Sequence, residues 1–387
     1  MRKMALWLAM LGLAWTMPAV AAPSTDNSQN VVLMGWDGAH RDHVKALLKD
    51  GKLPNLQKLV EAGALVDIDV TSGATDTKAG WTQILTGYKP EVTGVYNNGR
   101  YQDVPAGYSV FERLKARFGT DKIAAVAVIG KKAHCGEINP PTKRLYEQVK
   151  ELPAGEDQGQ PGAGKKARRG GGKRMAARQQ AAERVVEENG QKFLVFGGSP
   201  YFTMHKACDE WHFGLALDTK VGDKALEMLE KYKDKPFFFF VHFAEVDHKG
   251  HRFGEPSQEY NDAIISGDTQ LGRLVEKLKA LNLYDKTKIY VTADHGFDIG
   301  KKGHSYAPYV FLACNDKQVM RDGTRADIAP TILDRFGLDL SKIEPKLDGE
   351  SLRAPATQPV EKAPATKPGG AGKRANKNKK AQTDLLK

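Results

Sequence analysis

Cysteine is scarce in this chain: Cys135, Cys208 and Cys314 are the three among 387 residues. Their spacing does not match a structural zinc site, which draws its ligands in closely spaced pairs. At most one disulfide can form. Cys135 with Cys208 is the favoured pair, since both lie in polar, loop-like contexts while Cys314 ends the apolar run YVFLAC. Long apolar runs are also missing past the first residues. The longest, FFFFVHF at 237–243, is far below the roughly 20 residues of a membrane helix and fits a buried strand. No internal repeat is present.

The amino end is different. Two basic residues precede an apolar run from Met4 to about Met17, and small residues follow at Ala19, Val20 and Ala21. This is the pattern of a secretory signal over residues 1–22, cut near Ala21 or Ala22. It implies a periplasmic or secreted protein, with an uncleaved anchor as the alternative.

The formal net charge of +11 suggests a nucleic-acid partner until it is located. The stretch PGAGKKARRGGGKRMAARQQ, 161–180, contributes +7 with no acid, and residues 354–387 contribute +6. Together they exceed the total, so the remainder is slightly acidic. Both segments are rich in Gly, Ala, Pro and Gln and poor in aromatics, so neither can bury enough apolar surface to fold. They are expected to be a disordered insertion at about 155–182, inside a main domain of 23–353, and a disordered tail at 354–387. Such segments attract anionic polymers or lipids weakly, without forming a specific nucleic-acid site.

Outside these segments, apolar runs alternate with helical patterns. NVVLMGW, ALVDIDV, KIAAVAVIG, KFLVFGG, PFFFFVHF and KIYVTADHG read as strands. HVKALLKDG, PNLQKLVEAG, KAGWTQILTG, TKVGDKALEMLEKYK, SQEYNDAIISGDTQLGRLVEKLKAL and RADIAPTILDRFG read as helices. The alternation implies an α/β fold: a mostly parallel central sheet with helices on both faces. In such sheets ligands bind beyond the carboxyl ends of the strands.

Polar residues gather at those ends. Asp37 follows the first strand, Asp247 and His251 follow FFFFVHF, and Asp294 and His295 follow KIYVTA, with His304 nine residues beyond His295. Each taken singly could be a turn or capping residue. Carboxylates and imidazoles at three strand ends are most simply explained by a shared cation, because a buried charge without a partner costs several kcal/mol. Mixed Asp and His ligands favour zinc over calcium or magnesium. Six such residues suffice for two ions, which can clamp the attacking and leaving oxygens of a phosphoryl transfer. His40, His43, His134, His205, His212, His242 and His248 lack this placement and read as structural or surface groups, with His248 an alternative to His251.

The stretch TSGATDTKAGWTQILTG, 71–87, holds five threonines and a serine at a helix start. Hydroxyls there cap helices. Next to a metal site, one of them can also be a nucleophile, with metal coordination supplying the activation that a free threonine lacks. The residues leave open which one.

Together these motifs resemble the alkaline phosphatase superfamily, in its nucleotide pyrophosphatase/phosphodiesterase and sulfatase-like branches. The resemblance runs from VVLMGWDG to DGESL, on the Asp-x-x-x-His of DHKGH, on ADHG and on the later His304. It implies an alkaline phosphatase-like fold and two Zn2+ ions, one held by Asp37, Thr77, Asp294 and His295 and the other by Asp247, His251 and His304. The family places its nucleophile nine residues before the threonine of a TG pair, here Thr86-Gly87, which selects Thr77. An asparagine twenty-one residues further on binds a phosphate oxygen in the phosphodiesterases, which selects Asn98, with Asn97 beside it.

The chain departs from the superfamily in three places. It lacks the Cys or Ser with Pro and Arg that sulfatases convert to formylglycine. It also lacks the Asp-Ser-Ala of bacterial alkaline phosphatases. VIGKKAHCG offers Lys131 and Lys132 as phosphate-binding cations without the arginine that follows in some threonine phosphatases. The expectation is a secreted, two-zinc phosphodiesterase/nucleotide pyrophosphatase acting on a small phosphate ester. A phosphomonoesterase, a phosphoethanolamine-type transferase and a non-catalytic protein binding anionic surfaces are the alternatives.

Overall fold

The computed structural model describes residues 30–146 and 184–363. The expected signal segment and basic insertion lie outside these residues, as does the expected tail past Ala363; its first part, 354–363, is described and ties back to the body, so the expected boundary at 354 is too early. An eight-stranded sheet dominates. In spatial order it runs β11 (Gly323–Thr324), β2 (Ala64–Asp69), β10 (Tyr309–Cys314), β9 (Thr287–Thr292), β1 (Asn30–Trp36), β8 (Phe237–Phe243), β3 (Ala124–Ile129), β7 (Glu210–Phe213). All neighbours are parallel except β10, which runs against both β2 and β9. The mostly parallel α/β sheet expected from the sequence is present.

The central strands are apolar along their whole length because both faces are covered. β1 and β8 are buried at every residue. Adjacent strand residues point to opposite faces, and β1 shows what covers each. Gly35 faces the ring of Trp81 on α3 (Thr77–Thr86), so close that a Cβ would meet it at 2.3 Å. Its neighbour Trp36 faces Gly267 on α8 (Gln258–Ala280). Helices α3 and α8 therefore lie on opposite sides of β1. α6 (Asp218–Tyr232) and α2 (Pro54–Glu61) pack beside α8, and α9 (Ile328–Arg335) beside α3.

KFLVFGG forms a strand, β6 (Gln191–Phe196), but in a separate antiparallel sheet with β4 (Thr142–Leu145) and β5 (Arg184–Glu188). Short charged strands such as TKRL carry no buried run to announce them. Among the described residues no helix is long and apolar enough to cross a membrane.

All three cysteines are free, so the expected Cys135–Cys208 disulfide does not form. The two lie at opposite ends of β7. Cys208 comes just before its first residue, while Gly136, beside Cys135, packs against Phe213 at its last. A four-residue strand spans roughly 10–13 Å, beyond the ~7 Å Cα separation that a disulfide bridges.

Candidate active site

Every carboxylate and imidazole singled out at a strand end lies at the same edge of the sheet. Asp37 closes β1, and its N–H donates to Phe243 O at the end of β8, 3.0 Å away. Directly after β8 the chain turns into α7 (Glu245–Phe253), which sets Asp247 and His251 one turn apart on one helix face. Asp294 and His295 follow β9. Thr77 is the first residue of α3, whose N-cap is Asp76, so its hydroxyl lies at the positive end of the helix dipole.

Two groups of ligand atoms converge, each within 4.8 Å: Asp37, Asp294 and His295, and Asp247, His295 and His304. His251 joins the second, its Nε2 3.3 Å from Asp247 Oδ1 and 3.1 Å from His304 Nε2. The three imidazoles share one tautomer. Nδ1 of His251 faces Lys302 O at 2.9 Å, Nδ1 of His295 faces Gly296 O at 2.9 Å, and Nδ1 of His304 faces Thr75 O at 2.5 Å. A carbonyl can only accept, so each Nδ1 carries the proton, and in its neutral form each ring turns the Nε2 lone pair inward.

Three of the inward atoms lack partners. Asp247 Oδ1, Asp294 Oδ2 and His295 Nε2 are buried without a hydrogen bond among the described residues. Orphaned acceptors are rare in folded proteins, and three aimed into one space fit a divalent cation. Imidazole and carboxylate donors at this edge fit zinc chemistry.

The charges reflect that crowding. Burial, with Asp37 alongside, pushes the Asp294 carboxyl well above its ordinary value. Burial acts the same way on Asp37 and Asp247, but the Lys131 ammonium together with the imidazoles beside them, His242 at Asp37 and His251 and His295 at Asp247, outweighs it and holds both below the usual carboxylate range. Burial, with His295 stacked on it, lowers His304 to about 4, and burial lowers His295 as well. Both imidazoles are therefore neutral near pH 7, the form that binds a metal.

The chain matches the family Type I phosphodiesterase / nucleotide pyrophosphatase over residues 31–346. It belongs to this family. The family is metal-dependent, in keeping with the orphaned ligand atoms. Curated relatives are similar over shorter stretches. One is a 2,3-bisphosphoglycerate-independent phosphoglycerate mutase of Malacoplasma penetrans, 31% identical over 133 residues, 31% of this chain and 24% of the relative. Another is the human ectonucleotide pyrophosphatase/phosphodiesterase family member 1, 33% identical over 88 residues, 22% of this chain and 9% of the relative. The similarity thus spans less than a third of either relative. Among solved structures, Ps i-CgsB shares the fold, with a TM-score of 0.50 at 15% identity, over 84% of this chain and 75% of that one.

Within this phosphodiesterase-family site, the remaining expected residues are spread unevenly. Asn98 lies on the first turn of α3: Lys78 N–H donates to its Oδ1 at 2.9 Å, leaving Nδ2 uncommitted among the described residues. Asn97 instead closes its own turn, accepting from Gly99 N and Arg100 N. Lys131 reaches the centre, its Nζ 3.0 Å from Thr77 Oγ1. Lys132 is exposed on the wall of a cavity of about 460 Å³, which His134, His248 and His251 also line.

Two further residues are shown by the structure. His242 Nε2 contacts Asp37 Oδ2 at 2.7 Å. As the polar member of an otherwise apolar buried strand, it carried a visible signal that its core position masked. Arg325, fully buried, donates to Ser72 O, Ala74 O and Asp294 O, tying the loop before Thr77 to the end of β9. Its sequence context, at the start of a late helix, gives no hint of this.

Proposed function

We propose that the chain is a zinc-dependent phosphoric ester hydrolase, with phosphodiester or nucleotide pyrophosphate substrates, that uses Thr77 as nucleophile. The observation that carries this reading is the convergence of Nε2 of His251, His295 and His304, each fixed in one tautomer, on the orphaned oxygens of Asp247 and Asp294 beside the Thr77 hydroxyl. Asp37, Thr77, Asp294 and His295 would hold one Zn2+, and Asp247, His251 and His304 the other. When bound, the pair supplies Lewis-acid stabilisation to the attacking and leaving oxygens.

The rest belongs to the chain. Thr77 Oγ1 releases its proton to solvent and forms a bond to phosphorus, and the bond to the leaving oxygen breaks. Water then bonds the same phosphorus through its oxygen, the bond from phosphorus to Thr77 Oγ1 breaks, and a water proton returns to Oγ1. Asn98 Nδ2 and the positive end of the α3 dipole would face the developing charge on the non-bridging oxygens. The neutral amide suits a diester, which carries one charge fewer than a monoester.

A second reading, a phosphomonoesterase, is favoured by Lys131. A cation 3.0 Å from Thr77 Oγ1 would help to neutralise a dianionic ester. Export through the leader, and weak contact of the basic segments with anionic polymers or lipids, belong to this proposal too.

Turnover of bis-p-nitrophenyl phosphate and of p-nitrophenyl phosphate, with zinc and with chelator, tests it. Chelator-sensitive turnover, faster on the diester, is expected. Faster turnover of the monoester would favour the phosphatase. No turnover of either would contradict hydrolysis and favour a transferase or a binding role.

A further inference from the structure

The Lys131 ammonium makes three contacts, one from each of three elements. Nζ lies 2.8 Å from Asp37 Oδ1 at the end of β1, 2.8 Å from Asp247 Oδ2 on α7 and 3.0 Å from Thr77 Oγ1 on α3. An ammonium has three N–H donors, so all are used. In this arrangement none is left for a substrate oxygen.

The same atoms are those a metal would need. Asp37 Oδ2 is already engaged, by His242 Nε2 at 2.7 Å and Trp81 Nε1 at 3.3 Å. The metal-facing oxygen of Asp37 is therefore Oδ1, which Lys131 holds. Thr77 Oγ1 is also held by Lys131. A divalent ion and an ammonium competing for the same two oxygens repel one another strongly in a buried site.

We infer that Lys131 is a built-in counter-ion of the metal-free site, which holds Asp37, Asp247 and Thr77 together and must leave these oxygens as metal binds. The side chain has room to move, since Lys131 itself lines the 460 Å³ cavity with Lys132 and His134. The inference rests on the metal-binding reading above and adds a competitor to it. A lysine that serves substrate alone would leave metal affinity untouched.

The test is zinc affinity, measured by competition with a chromophoric chelator in the absence of substrate, together with thermal melts of the metal-free protein. Lys131→Met and Lys131→Gln are compared with the wild type. Gln keeps a polar end in case Met prevents folding. Both variants are expected to bind zinc roughly ten-fold more tightly or better, and to melt at a lower temperature when metal-free. Wild-type zinc binding with unchanged or weaker affinity in both variants would overturn the inference and leave the proposed function standing. Absence of zinc binding in all three proteins would overturn both. Binding confined to the variants would support the competition and contradict a metal-loaded wild-type enzyme.

Discussion

His242 Nε2 lies 2.7 Å from Asp37 Oδ2, and both side chains are fully buried. The imidazole fixes the rotation of a carboxylate whose other oxygen faces the site. Residues that orient a ligand typically change metal affinity 10–100-fold when removed. His242→Phe is therefore expected to weaken zinc binding by roughly that factor, and His242→Gln, which keeps a donor, by less. Chelator competition reads both, and equal affinity in all three proteins would contradict the orienting role.

Helix α3 presses Thr77 into the site through Gly80. A Cβ on Gly80 would lie 2.5 Å from Asp294 Cβ and 2.8 Å from Asp294 O, and strand-end backbone cannot give way cheaply. Gly80→Ala is expected to destabilise the protein by roughly 1–3 kcal/mol, the usual cost of overpacking. It should also lower kcat at saturating zinc, because Thr77 moves with the helix. Thermal melts and steady-state kinetics check the two effects separately.

A pH dependence follows from Asp218, at the start of α6. Its Oδ1 accepts from Ala244 N and Glu245 N at the start of α7, while Oδ2 is buried without a partner among the described residues. Burial, with Glu245 and Asp37 nearby, pushes the carboxyl up to about 7. Between roughly pH 4 and that value the folded protein keeps a proton that the unfolded chain has released. The stability this site contributes therefore falls as pH rises through the window and stays low above it. Wild type should lose on the order of 2 kcal/mol relative to Asp218→Asn between about pH 5 and pH 8, read by urea unfolding. Parallel pH profiles would contradict the shift.

The described chain continues past Ala354 to Ala363, and this stretch ties back to the body. Glu361 pairs with Lys89 at 3.1 Å and bonds Thr71, Lys362 pairs with Asp322 at 2.9 Å, and Ala363 N donates to Asp69 Oδ2 at 2.9 Å. A chain ending at Ala363 should match the full-length protein in melting temperature. One ending at Arg353 should melt lower by roughly 1–4 °C, since exposed pairs are individually weak, and keep its turnover. A large fall in kcat for the shorter chain would mean that the strap positions the loop before Thr77.

The sequence was most legible where one rule governs a residue. Strand-end placement located Asp37, Asp294 and His295, because a parallel sheet brings the carboxyl ends of its strands to one edge. The four-residue spacing of Asp247 and His251 told of a shared face, although α7 itself escaped notice: its run of charged residues lacks an apolar stripe. The reversed direction of β10 was not legible, since a strand buried on both faces reads the same either way. The position of Lys131 was illegible for a different reason. Sequence marks a lysine after a strand, but which oxygens a flexible side chain reaches depends on three elements far apart in the chain.

The central claim, that Thr77 is the nucleophile, is tested most directly by trapping its adduct. The zinc-loaded enzyme would be mixed with p-nitrophenyl phosphate, quenched in acid within the first turnovers, digested and analysed by mass spectrometry. Phosphate on Thr77, absent with chelator and absent in Thr77→Ala, is the predicted result. Phosphate on another hydroxyl of the 71–86 stretch, or wild-type turnover by Thr77→Ala, would contradict the account.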